Sequence, residues 1–218
     1  MNSLILKKIM DYKNFIIRSF SSLFLLSLTL GVLIFFEKKI LYIIILIFFI
    51  IFLEVYKNFK INKLKIYLIL YLILSSIFYI FYFIYFFDNL IFLYCILVII
   101  VFDSFSYLIG SKLGKIKIFP KISPKKTIEG YFFGIIFSII FSSIFNYYFL
   151  LFNFREFILL TFFLIQFAFI GDLIESFYKR ISSIKDSGKL IPGHGGFFDR
   201  FDSFLSISFL LLPYSFFS

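Results

Sequence analysis

The sequence has no tryptophan, one cysteine (Cys95), one histidine (His194), one alanine (Ala168) and four prolines in 218 residues. Each scarcity closes off a class of function. A single Cys leaves no intrachain disulfide and no cysteine-based zinc site. A single His, without a His-Glu-x-x-His run, excludes a zinc protease. Charge is also scarce, at 16 %, and unequal, with 22 basic residues against 12 acidic for a net charge of +10. No stretch reads as a separate soluble domain, and no internal repeat is visible. The missing Trp, the lone Ala and the 39 Phe point to biased codon usage, with most of the Phe as lipid-facing filler.

What is abundant is apolar sequence, at 62 % of residues. Apolar runs recur at 15–36, 40–56, 66–87, 89–110, 130–152, 156–177 and 204–217. A helix crosses about 30 Å of hydrocarbon with about 20 residues, so most of these runs are long enough to span, and the last is marginal. Helices satisfy the backbone within each span, which sets the class as an all-α membrane protein, a polytopic bundle of about seven helices. Residues 1–14 are polar and basic, and the run after them is too long for a signal-peptide core and has no small-residue cleavage site, so it is expected to stay as an anchor.

Charge placement gives the topology. With the N-terminus inside, 19 of the 22 basic residues fall on the cytoplasmic side, leaving only Lys38, Lys39 and Arg155 outside. That asymmetry supports seven helices with the C-terminus out, and it puts every charged loop on one face. In such a protein the positive charge reports topology and anionic headgroups, not nucleic acid.

Three constellations lie on that face. The first is Asp103, Tyr107, Gly110 and Gly114, spaced by four, three and four residues and so on one helical stripe. An acid on a small-residue stripe is expected to face the bundle interior. The second is Ser123-Pro124-Lys125-Lys126-Thr127-Ile128-Glu129-Gly130. Ser before Pro suits a helix N-cap and first turn, where free N–H groups and two Lys would cradle an anion.

The third constellation, Gly171 to Ser203, holds five of the 12 acids, five of the ten Gly, five basic residues and the only His. Asp172, Glu175, Ser176 and Lys179 share one helical face. Lys185-Asp186 then leads to Pro192-Gly193-His194-Gly195-Gly196, a backbone that can approach a ligand closely because three Gly lack Cβ. Asp199-Arg200-Phe201-Asp202 opens the last helix, with carboxylates at its positive end. Asp172 and Asp199, from different helices, are expected to meet over one hard cation such as Mg²⁺.

This third stretch resembles the signature of the phosphatidate cytidylyltransferases, also called CDP-diacylglycerol synthases. Ser176, Lys179, Arg180, Lys185, Asp186, Gly188, Pro192, His194, Gly195, Gly196, Asp199, Arg200 and Asp202 fall in its register. The Asp103–Gly110 stripe and the Ser123–Gly130 loop are similar to two further motifs of that family. Departures at Ser106, Ile128 and Tyr178 remove no charge and no glycine. The likeness covers residues 100 to 212, and the N-terminal half is short beside typical members.

The resemblance implies transfer of the cytidylyl group of CTP to phosphatidate with release of pyrophosphate, at Mg²⁺, alone or with a second metal ion. It implies that Asp172 and Asp199 bind metal, with Asp186 and Asp202 as further ligands or supports. Lys179, Arg180, Lys185, Asp186, His194, Arg200 and Asp202 would be catalytic. Ser123, Lys125, Lys126, Thr127, Gly193, Gly195, Gly196 and Asp103 would bind substrate. The expected division is residues 1–100 as N-terminal transmembrane helices and 101–218 as the catalytic region, in one integral domain. The expected location is a bacterial-type inner (plasma) membrane with the site facing the cytoplasm, with a homodimer left open. Two alternatives remain at this point: an ion-coupled transporter that uses Asp103 and Asp172, and a related CDP-archaeol synthase or polyprenol kinase.

Overall fold

A computed structural model describes residue 31 and residues 40–60, 62–188, 190 and 195–217. The expected first segment at 15–36, apart from Gly31, lies outside these, as do Gly193 and His194 of the expected site. The other six expected segments are all helical. They are α1 (Ile40–Asn58), α2 (Lys63–Tyr85), α3 (Asn89–Leu113), α4 (Ile128–Phe149), α5 (Phe154–Ser182) and α6 (Phe198–Phe217). Between α3 and α4 lies a small antiparallel hairpin, β1 (Lys117–Phe119) and β2 (Ser123–Thr127). The chain is a helical membrane protein: α1 to α5 are each long and apolar enough to cross a membrane.

The helix ends follow local chemistry. Asn62, Asp88, Thr127 and Asn153 cap α2, α3, α4 and α5, each side chain accepting a first-turn N–H. Such a cap stabilises a helix by about 1 kcal/mol. At α5 the cap is reciprocal, because Glu156 reaches back to the Asn153 N–H. Lys65 closes the α1–α2 turn from the other side. Its buried ammonium donates to the Tyr56 carbonyl at 2.6 Å and the Phe59 carbonyl at 3.0 Å, groups that the end of α1 leaves unpaired.

Two packing devices draw the helices together. Lipid is as apolar as leucine, so close approach and polar contacts matter more here than apolar burial. Small residues serve the first: a Cβ at Gly130 would lie 2.6 Å from the Ser106 carbonyl, and one at Gly134 would press on the Ser106 hydroxyl and the Phe102 ring. These glycines let α4 lie directly on α3. Gly171 does the same for α5, where a Cβ would collide with the Asp202 backbone of α6.

Hydrogen bonds between helices serve the second. Ser75 and Tyr79 of α2 donate to the Leu205 and Phe204 carbonyls of α6, at 2.7 and 2.6 Å. Tyr71 pairs with Ser206, and Ser208 with Ser75. Each such bond contributes about 0.6 kcal/mol in a membrane. As a result α6 runs through the bundle, with Leu205, Ile207 and Leu211 fully buried, while Tyr42, Phe49, Tyr67, Tyr147 and Phe154 face outward.

Of two sequence expectations here, one holds and one changes. The last helix begins at Phe198, so Asp199, Arg200 and Asp202 do open it as expected, and with them the marginal apolar run from 204 becomes a helix of 20 residues. The Ser123–Thr127 run is a strand, with Thr127 as the N-cap of α4 in place of Ser123. Lys117 pairs with Thr127 and Phe119 with Ser123, and that pairing holds the segment extended. At the actual start of α4 two amides are taken: Ile128 N–H bonds the Ile116 carbonyl at 2.9 Å, and Gly130 N–H the Thr127 hydroxyl at 3.2 Å.

Candidate active site

Up-and-down threading brings the C-terminal ends of α1, α3 and α5 and the N-terminal ends of α4 and α6 to one side of the bundle. There a cavity of about 350 Å³ opens between α3, α5, α6 and the hairpin. It gathers residues from all three constellations. Asp103 lines it from α3, Ser123, Lys125, Lys126 and Thr127 from the hairpin, Asp172 and Lys179 from α5, and Asp199, Arg200 and Asp202 from α6.

The carboxylates on its floor divide into two groups. Asp172, Glu175 and Asp202 each bring one oxygen within 4.8 Å of the others. Asp172 and Glu175 sit three residues apart on one face of α5, and Asp202 comes from α6 where Gly171 allows close contact. Glu175 is 2 % exposed. An all-oxygen set drawn from two helices is the chemistry of a hard divalent cation, so the residues fit Mg²⁺.

The sequence paired Asp172 with Asp199, but the structure groups Asp172 with Glu175 and Asp202. Asp199 is committed elsewhere. Its Oδ2 accepts the Ser187 and Gly196 N–H groups, both at 2.8 Å, and the Ser187 hydroxyl at 3.1 Å. Its Oδ1 accepts from Lys179 at 2.8 Å. Charge-assisted bonds of this kind are the strong ones. With three N–H donors on one carboxylate and the Ser187 hydroxyl within reach, Asp199 organises the loop before α6.

Two lysines balance the acids. Lys126 Nζ lies 2.7 Å from Asp172 Oδ2 and 4.2 Å from the centre of the Phe169 ring. Lys179 Nζ lies 2.5 Å from Glu175 Oε1 as well as on Asp199. Both ammonium groups are mostly buried, so each ion pair is only weakly screened by water. The result is a compact floor where carboxylate oxygens and ammonium nitrogens lie in direct contact.

The other expected residues that the structure describes sit around this floor or beyond it. Arg180 does not line the cavity; its Nε donates to the Ile122 carbonyl at 3.1 Å and ties the hairpin to the end of α5. Lys185 and Asp186 are exposed on the following loop. Gly195 has φ +88°, a conformation that only glycine adopts without strain, and a Cβ there would lie 2.5 Å from Asp199 Oδ2. Gly196 donates its N–H to that same oxygen.

One residue of this network escaped the sequence reading. Glu54, buried near the end of α1, accepts the Phe197 and Phe198 N–H groups at 3.0 and 3.1 Å and the Ser187 hydroxyl at 3.2 Å. Its signal in the sequence is isolation: it is the only acid between Glu37 and Asp88.

Fold and site together define a polytopic membrane protein with a charged cavity at the basic end of its bundle, lined by an acidic cluster that could hold a metal ion. The chain belongs to the cytidylyltransferase family, which it matches over residues 3–217. It is similar to the phosphatidate cytidylyltransferase of Staphylococcus aureus (strain COL), 45 % identical over 121 residues, covering 55 % of this chain and 46 % of that protein. The phosphatidate cytidylyltransferases of Staphylococcus haemolyticus (strain JCSC1435) and Staphylococcus epidermidis (strain ATCC 12228) are 43 % and 40 % identical, with the same coverage. The chain spans about half the length of the relatives it matches.

Proposed function

We propose that this protein transfers the cytidylyl group of CTP to phosphatidate, releasing pyrophosphate and leaving CDP-diacylglycerol in the membrane. One observation carries the reading: the carboxylate cluster of Asp172, Glu175 and Asp202 shares its cavity with Lys126, Lys179 and Arg200 at the basic end of a membrane bundle. The family and the Staphylococcus relatives supply the substrate class.

The chemistry asks for this arrangement. A phosphate monoester has a second pKa of about 6, so the lipid phosphate is mostly dianionic near neutral pH and needs little help from a base. The difficulty is to bring it against a polyphosphate that is itself anionic. Mg²⁺ held by Asp172, Glu175 and Asp202 would neutralise phosphate oxygens and align them. Lys126 and Lys179 bring positive charge into a site partly closed to water, where it acts more strongly than in solution. Arg200 at the rim, with Lys125 on the hairpin, would meet the nucleotide phosphates as they enter. Asp103, across the cavity on α3, faces the same space. A cavity between helix ends, open to one side, admits a soluble nucleotide while the lipid stays in the bilayer.

The orientation proposed is cytoplasmic, from the placement of the basic residues. The test is purified protein in detergent with CTP labelled in the cytidine, phosphatidate and Mg²⁺. A lipid-extractable labelled product that requires all three supports the reading. Label that stays in the aqueous phase under conditions where the protein is folded refutes it.

A further inference from the structure

Glu54 belongs to none of the three charged constellations. It lies on α1, in the N-terminal half of the chain, and is 5 % exposed. A carboxylate in an apolar membrane helix is costly unless its oxygens are satisfied. Here they are satisfied by the loop that precedes α6. Oε1 accepts the Phe197 N–H and Oε2 the Phe198 N–H, so one side chain from another helix takes two of the amides that the start of α6 leaves unpaired. The negative charge also suits the positive end of the α6 dipole.

The loop is shaped around this carboxylate. A Cβ at Gly188 would lie 2.5 Å from Glu54 Oε1, and one at Gly196 2.5 Å from Glu54 Oε2. Two glycines therefore leave the room that Glu54 occupies. Asn58, one turn on along the same face of α1, donates to the Ser187 carbonyl at 2.6 Å and holds the same loop. The Ser187 hydroxyl lies within reach of both Glu54 Oε2 and Asp199 Oδ2. From Asp199 the contacts continue to Lys179 and then Glu175.

We infer that Glu54 is a positioning residue of the active site: it caps α6 from α1 and, through Ser187 and the first turn of α6, sets where Asp199 and Asp202 stand. The site thus draws on both halves of the chain. This rests on the cytidylyl-transfer reading for its effect on rate, but the capping itself is independent of that reading.

The experiment compares wild type with Glu54→Gln and Glu54→Asp in detergent, by hydrogen–deuterium exchange and by turnover per folded molecule. Gln keeps one acceptor and loses the charge, and Asp is one methylene too short to reach both amides. Exchange in the stretch 195–200 should rise 10-fold or more in both variants, with α3 and α5 unchanged. Turnover per folded molecule at saturating CTP, phosphatidate and Mg²⁺ should fall at least 10-fold, well beyond any loss of folded protein. A Ser187→Ala change added to Glu54→Gln should cost less than the two single losses combined, because both act through Asp199. Unchanged exchange at 195–200 overturns the inference, and so does localised loosening with full turnover. Loosening of the whole bundle, with turnover lost only in proportion to folded protein, also overturns it by reducing Glu54 to a general stabiliser. If wild type makes no lipid-bound cytidine, the transfer reading fails, and the exchange data still decide whether Glu54 holds the loop.

Discussion

Lys126, on the last strand of the hairpin, reaches Asp172 on α5 at 2.7 Å and closes one wall of the cavity. The same ammonium sits above the Phe169 ring and 3.4 Å from the Phe169 carbonyl, so its position is defined on three sides. A compact charge fits there and a wide planar guanidinium does not. Replacing both Lys125 and Lys126 by Arg keeps the positive charge at this face. The variant is expected to insert normally and to lose at least about 10-fold in turnover, roughly 1.4 kcal/mol in the barrier. Full turnover would return the two lysines to the role of a simple topology signal.

The two carboxylate groups on the floor separate in a metal titration. Asp172→Asn and Asp202→Asn each remove a cation-binding oxygen charge, so each should raise the Mg²⁺ needed for half-maximal turnover by about 10-fold or more. Asp199→Asn leaves the oxygens of Asp172, Glu175 and Asp202 in place and removes the charge and one of the two acceptor oxygens that hold Lys179, Ser187 and Gly196. It is expected to lower turnover with the Mg²⁺ midpoint unmoved. A shifted midpoint in Asp199→Asn alone would restore Asp199 as the metal ligand.

Gly171→Ala tests the approach of α5 to α6. The added methyl would collide with the Asp202 backbone and the Ser206 hydroxyl, and backbone yields poorly. A loss of about 1–3 kcal/mol is expected, the usual cost of overpacking, seen as a lowered unfolding midpoint in detergent. A variant as stable as wild type would show that the two helices are not held that closely.

Orientation is open to labelling. Lys121 on the hairpin and Asn153 before α5 are both exposed, at opposite ends of α4, a helix about 33 Å long. Cys95 is fully buried, so the native thiol stays silent. A thiol placed by Lys121→Cys should react with an impermeant reagent applied to the cytoplasmic face, and one placed by Asn153→Cys only from the opposite face. The reverse pattern would overturn the cytoplasmic site.

The sequence made the apolar helices legible because each is a run of about 20 residues with few charges. It also showed the charged stretch from Gly171 to Ser203, since so many polar groups stand out in apolar surroundings. The start of α6 was legible too, because Asp199 and Asp202 suit the positive end of a helix, although the apolar run alone begins only at 204. The Ser123–Thr127 strand was hidden by Ser-Pro, which suits a helix start locally but lies here in a hairpin set by its pairing with Lys117 and Phe119. Which acids share a cation depends on where α6 lies against α5, and spacing along the chain does not report that. Glu54 is the clearest case: its partners at 187, 197 and 198 lie far along the sequence, and only folding brings them together.

The most direct test of the account follows two labels in one reaction. Purified protein is given phosphatidate, Mg²⁺ and CTP carrying one label on the α-phosphorus and another on the γ-phosphorus. Cytidylyl transfer moves the α label into the lipid fraction and releases the γ label in pyrophosphate, in equal amounts, and neither appears when Asp172 and Asp202 are both changed to Asn. A γ label in the lipid would instead mean a kinase, and no label in the lipid from well-folded protein would contradict the account outright.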